Sequence, residues 1–255
     1  MEIDVVFRWP DLLPEEAEGR VAVVIDVLRA TSMIAALLAA GAREVWPVKE
    51  VDEARRLASE LGGALLAGER GGLPPAGFDM GNSPREVDAK VQGRPVVLTT
   101  TNGTSAIQRA ARAEALVTAA FVNAGAVVAS LLATAPERVL IVCAGTEGAF
   151  SLDDALCAGG IVAGLASGAG EAPGCSGVRL TDSAVAARLL YESQQDKLAA
   201  AMRSCRHGRR LESLGMGGDI DWAARESVID LVPVRAPGQG QSRLVAAQAG
   251  ARLSA

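Results

Sequence analysis

Aromatic residues make up only 3% of this 255-residue chain, a single histidine is present, and no run of lysine and arginine is long enough to track a phosphate backbone. Nucleic acid is therefore not an expected partner, and the formal net charge of -5 agrees with that exclusion. The apolar stretch Met33 to Ala40 falls far below the ~20 residues that a membrane span needs. The opening residues MEIDVVFRWPDLL carry acids at positions 2 and 4 and no extended apolar run, so neither a signal peptide nor an anchor is expected there. Cys143, Cys157, Cys175 and Cys205 form no CxxC pair and sit mostly in apolar surroundings, which reads as reduced core residues and a cytoplasmic protein. The ordinary nucleotide-binding signatures, G-x-x-x-x-G-K-[ST] and a post-strand G-x-G-x-x-G, are also missing.

What is present is a 49% hydrophobic composition built from Ala, Val and Leu, suited to helices packed closely on a sheet. Strands are expected at Ile3 to Phe7, Val21 to Val27, Glu44 to Val48, Ala64 to Ala67, Val96 to Leu98, Ala115 to Thr118 and Val139 to Val142. Helical stretches alternate with them, which predicts an α/β protein of three layers, α/β/α, around a mixed, largely parallel sheet. Residues 1–235 read as one domain, with a division into two subdomains near 168–177 left open. A helical stretch is expected from Asp182 to Leu214 and a last strand near Ser227 to Val234. Residues 236–255 lack a strong pattern and read as a mobile tail.

Three apolar runs end in a polar loop followed by an alanine-rich stretch: VAVVIDVLRATS, RPVVLTTTNGTS and RVLIVCAGTEGAFSLDD. Strand ends that open into helix N-termini present free N–H groups, the usual means by which such folds hold an anion. Asp26 stands where open α/β sheets bind ligands, and reads either as a metal ligand or as a cap for the next turn. Leu28, two residues on, argues against an aspartyl nucleophile paired with a second Asp. Arg29 and Arg70 follow strand ends, where a guanidinium takes a phosphate or sulfonate oxygen pair; each also fits a surface ion pair. Thr31 or Ser32 is expected to cap the first helix, and Thr101, Asn102, Gly103 and Thr104 to offer anion-binding donors or an ordinary cap.

The Gly- and Pro-rich segment from Gly68 to Pro84 holds Glu69, Arg70 and Asn82 in a long loop of the functional kind. In the third unit, Glu147, Ser151, Asp153 and Asp154 supply candidate ligands or bases, although the two aspartates also suit a helix N-terminus. Cys143 lacks the arginine six residues on that a cysteine phosphatase needs, because position 149 is Ala, and reads as packed. A histidine phosphoenzyme would rest on His207 alone and is disfavoured.

The motifs IDVLRATS, GERGG, FDMGNSP, TTTNGT and CAGTEGAFSLDDALCAG, with SCRHGRRLESLGMGGDIDWAA further on, resemble the ComB family of 2-phosphosulfolactate phosphatases from the first strand to about Val234. The resemblance implies a three-layer α/β/α fold and a Mg2+-dependent hydrolase that converts 2-phospho-3-sulfolactate, or a similar phosphorylated hydroxy acid, to 3-sulfolactate and phosphate. That reaction is a step toward coenzyme M in organisms that make it. Asp26 with Glu69, Glu147 or Asp153 would hold Mg2+ or activate water, and Arg29, Arg70 and the helix starts would hold the phosphate and the remote sulfonate. The partners expected are a small anionic substrate and, at most, further copies of the chain in a homo-oligomer. The rival reading is a non-catalytic binding protein for a small phosphorylated or sulfonated anion.

Overall fold

The continuously apolar, β-branched run Val21–Ile25 forms a strand buried on both faces, as a central strand of a parallel sheet must be. In the computed structural model, which describes residues 1–168, 177–238 and 242–253, it is β2, after β1 (Glu2–Val6). The chain continues through α1 (Ala30–Ala39), β3 (Glu44–Val48), α2 (Val51–Glu60), β4 (Leu65–Gly68), β5 (Pro95–Thr99), α3 (Gly103–Arg109), β6 (Ala115–Ala119), α4 (Ala124–Thr134), β7 (Arg138–Cys143) and α5 (Leu152–Gly168). Then come β8 (Arg179–Leu180), α6 (Asp182–Gln194), α7 (Leu198–Ser204), α8 (Arg206–Ser213), α9 (Gly217–Ala223), β9 (Leu231–Arg235) and β10 (Leu244–Gln248). The subdomain division expected near 168–177 falls largely on residues 169–176, outside those described.

Alternation along β2 divides the core. Val21, Val23 and Ile25 face α4, α5 and the later helices, while Ala22 and Val24 face α1 and α3. Helices thus cover both faces of one ten-stranded sheet, and the expected three-layer α/β/α arrangement is present.

The sheet order is β4-β5-β3-β10-β9-β6-β2-β7-β1-β8. The strands β6, β2, β7, β1 and β8 form one parallel block, and β4, β5 and β3 another. Between them stands the antiparallel pair β9/β10, which touches β6 at Val117↔Val234 and β3 at Leu244↔Val45. The expected mobile tail is therefore corrected: residues 244–248 are an internal strand, and Leu244 is fully buried. Three antiparallel steps reverse the sense of one block, yet five strand interfaces separate β5 from β2. At roughly 20–25° of twist each they turn the blocks by roughly 100–125°, which leaves the two sets of strands nearer to crossing than to opposition. Their carboxyl ends can then meet at one corner.

Among the described residues no helix is long and apolar enough to cross a membrane. Cys143, Cys157 and Cys205 are free and buried, and Cys175 lies outside the described residues.

Candidate active site

Four strand-end loops meet at that corner. After β5, the Gly103 N–H donates to the carboxylate of Asp26, the residue that follows β2. The approach demands glycine: a Cβ at Gly103 would lie 2.5 Å from Ala30 Cβ and 2.7 Å from Asp26 Oδ2. Glu69, after β4, accepts from the N–H of Thr101 at 2.9 Å, from its hydroxyl at 2.8 Å and from the N–H of Gly72 at 2.7 Å. The loop after β7 is tied in twice, by the Glu147 N–H donating to Asn102 Oδ1 at 3.1 Å and by the Ala144 N–H donating to the Ile25 carbonyl at 2.7 Å.

The acids at this corner push on one another. Asp26 is raised to about 7, first by burial and then by the charges of Asp153 and Glu69. Glu69 is instead held below its ordinary value, because the bonds from Gly72 and Thr101 outweigh its burial. Asp154, read as a candidate ligand or base or as an acid suited to a helix start, is buried with its carboxyl accepting from the Val27 and Gly145 N–H groups at 2.9 and 2.8 Å. Burial, Asp153 and Asp26 raise it well above the usual range, and its two oxygens bridge the loops after β2 and β7. Ser151 donates to Asp153 at 2.5 Å and pairs with the Thr146 hydroxyl at 3.0 Å.

Beside Glu69 opens a cleft of about 120 Å3. Glu69, Gly71 and Gly72 line one side, Thr101 and Asn102 another, Thr146 and Glu147 a third, and His207 and Arg210 of α8 close it. Sequence reading disfavours His207 and names no site residue on α8; the available signal is the density of charge in SCRHGRRLESL, a segment that also carries the family resemblance. Burial lowers His207, Asp153 opposes that, and Arg29 adds to the lowering.

Several expected roles are corrected. Thr31 and Ser32 do not cap α1, since Arg29 precedes it as N-cap and both hydroxyls lie inside the first turn. They donate instead to the carbonyls of Asp26 and Val27 at 2.9 and 2.7 Å, fixing the strand end. Thr104 likewise bonds back to the Thr100 carbonyl at 2.7 Å. Neither Arg29 nor Arg70 lines the cleft. Arg70 donates to Thr99 Oγ1 at 2.9 Å, to its neighbour's carbonyl and to the Lys49 carbonyl. Asn82 is buried, and its Oδ1 has no partner among the described residues. Glu147 sits on the rim, paired with Arg206. Cys143 is packed, its thiol pushed up by burial.

Arg29 is anchored in the interior. Its Nη1 donates to Asp219 Oδ2 at 2.8 Å, both side chains being only 2% exposed, and its Nη2 donates to the Gly72 carbonyl at 2.9 Å. Ser83 supplies a further hydrogen bond to Asp219 at 2.6 Å. Removing one partner of such a pair strands the other charge, so Asp219→Ala should cost about 3–5 kcal/mol in urea denaturation. A loss below about 1 kcal/mol would show that Arg29 does not depend on this partner.

Helices on both faces of the sheet, and a polar cleft where its strand ends converge, define an α/β protein of the class that takes a small ligand at those ends. A family model described as 2-phosphosulpholactate phosphatase matches residues 7–237. A Deinococcus radiodurans protein named probable 2-phosphosulfolactate phosphatase is 44% identical over 230 residues, which is 89% of this chain and 92% of that one. Proteins of the same name from Thermotoga petrophila and Carboxydothermus hydrogenoformans are 42% and 39% identical, over 87% and 91% of this chain and 91% and 92% of their own. The chain belongs to the 2-phosphosulpholactate phosphatase family, and with it to the phosphoric monoester hydrolases.

Proposed function

We propose that the protein is a Mg2+-dependent phosphatase that hydrolyses 2-phospho-3-sulfolactate, or a similar phosphorylated hydroxy acid, to the free hydroxy acid and phosphate. The observation that carries this reading is the buried Asp26, raised to about 7 by burial and by the Asp153 and Glu69 charges beside it. A floor so rich in carboxylates repels an anionic ester unless a cation neutralises it, and a hard divalent cation with oxygen ligands fits that donor set. No three His, Cys, Asp or Glu side chains form a ready ligand group among the described residues. Mg2+ keeps several waters and needs only one or two carboxylates, so the proposed site rests on a pair.

Asp26 and Asp153 would hold the ion, while Glu69, whose charge also acts on Asp26, is braced by its bonds to Gly72 and Thr101. Bound Mg2+ would supply Lewis-acid neutralisation of the phosphoryl oxygens. The protein's own part is to exclude water from the acids and orient the ester. Asn102, held through Oδ1 by Glu147, turns an Nδ2 amide without a partner among the described residues toward that task.

Phosphate release from 2-phospho-3-sulfolactate should require Mg2+ and stop with EDTA. Because a ligand must be deprotonated, the apparent Mg2+ affinity should tighten as pH rises toward about 7 and level off above it. Tight phosphate or sulfolactate binding with no turnover of phosphate esters would replace this reading with that of a binding protein.

A further inference from the structure

An ester of a hydroxy acid carries a second anion beyond its phosphate, and that group also needs a cation. The two arginines that sequence places at strand ends are committed elsewhere. Arg29 is bound to Asp219 and Gly72, its Nε buried without a partner among the described residues, and Arg70 is bound to Thr99 and backbone carbonyls. On α8, Arg206 pairs with Glu147 and Arg209 donates to the Ser204 carbonyl. His207 is held below its ordinary value by burial and bears no fixed charge of the guanidinium kind.

Arg210 differs from all of these. Its Nη2 donates to the Gly71 carbonyl at 2.8 Å, and among the described residues this is its single hydrogen bond; no carboxylate pairs with it. The guanidinium is therefore held in place while Nε, Nη1 and one Nη2 hydrogen remain available, enough for a bidentate grip on a sulfonate or carboxylate. Its seat is the bare turn Gly71–Gly72, with φ of 64° and 92°. A Cβ on Gly71 would lie 3.4 Å from Arg210 Nη2, and one on Gly72 2.9 Å from Leu214 Cδ1. The positive φ at both positions favours glycine, and the missing side chains leave room for Arg210 and Leu214 against the turn. Arg210 is exposed on the cleft wall, whereas Asp26 and Asp153 are buried. A ligand whose phosphoryl group reaches the buried acids points its other end at the rim.

We propose that Arg210 receives the non-transferred acid group of the substrate and so determines a preference for phosphate esters of hydroxy acids. This rests on the phosphatase reading for the position of the phosphoryl group. A charged pairing of this kind lost from a binding site amounts to roughly 10–100-fold.

The test compares the full-length protein with Arg210→Gln and Arg210→Lys, using 2-phospho-3-sulfolactate and 2-phospholactate as substrates. Calorimetry on the same proteins uses 3-sulfolactate and inorganic phosphate as probes. In Arg210→Gln, KM should rise roughly 10–100-fold with the loss in KM rather than kcat, and Arg210→Lys should recover part of it. A rise on both substrates identifies the carboxylate as the group held; a rise on 2-phospho-3-sulfolactate alone identifies the sulfonate. 3-Sulfolactate binding should weaken in parallel, and inorganic phosphate binding should not. Equal weakening of both probes, or of neither, overturns the assignment, as does undetectable 3-sulfolactate binding by the parent protein. If the parent releases phosphate from neither ester, the phosphatase reading fails, and the 3-sulfolactate calorimetry alone decides the role of Arg210.

Discussion

Asp26→Asn should abolish phosphate release, by on the order of 10^3-fold or more, and at the same time make the metal-free protein more stable at pH 8. The two effects share one cause. Asp26 has an ordinary value of 3.8 and is raised to about 7 in the fold. Between those values the folded chain holds a proton that the unfolded chain has released, so stability falls as pH rises through that window, and the cost of the charge is complete above it. Asparagine keeps the size and the acceptor for the Ala30 and Gly103 N–H groups but cannot ionise. In EDTA the variant should exceed the parent by roughly 2–4 kcal/mol at pH 8, narrowing to about 1 kcal/mol or less at pH 4.5, read from urea midpoints. Retained turnover would remove Asp26 from the chemistry. A variant no more stable than the parent at pH 8 would show that the carboxylate is not held against its preference.

Ending the chain after Ala236 should remove its cooperative unfolding altogether. The deletion takes β10, which pairs over five residues with β9 and meets β3 at Leu244↔Val45. Both neighbours would be left with unpaired backbone edges inside the sheet, and the fully buried Leu244 would leave the core. The two parallel blocks would also lose the pairing that joins them. The combined loss is of the same order as the whole stability of a domain, about 5–15 kcal/mol. Urea denaturation followed by circular dichroism should show no sigmoidal transition, whereas a chain ending after Gln248 should retain one. A transition in the shorter chain within about 1 kcal/mol of the full-length protein would make β10 dispensable.

That strand also shows where reading by sequence ran out. Its residues, LVAAQ, are short, rich in alanine and weak in β propensity, so nothing local marks them as a strand. They become one because β9 and β3 stand on either side with edges to fill. β2 is the opposite case: five apolar residues, mostly β-branched, are enough to specify a buried strand, and Asp26 follows from its end. The convergence of Asp26, Glu69, Thr101, Asn102, Gly103 and Glu147 was legible for the same reason, since each lies within a few residues of a strand terminus, and Asp153 opens the helix that follows β7.

Partner choice was not legible, because it is settled between residues far apart in the chain. Arg29 reads equally as an anion ligand or a surface ion pair beside its strand end, and the structure pairs it in the interior with Asp219 of α9. The sequence disfavours His207 as a phosphoenzyme residue and does not single out Arg210, yet α8 settles on the Gly71–Gly72 turn and brings both to the cleft. The sequence by itself determined which segments are strands with polar ends, and hence the acids and glycines of the corner, because periodicity and turn chemistry act over a few residues. The tertiary structure alone decided which cations are spent on the fold and which one faces the cleft. Burial and long-range pairing govern whether a guanidinium can be left without a partner.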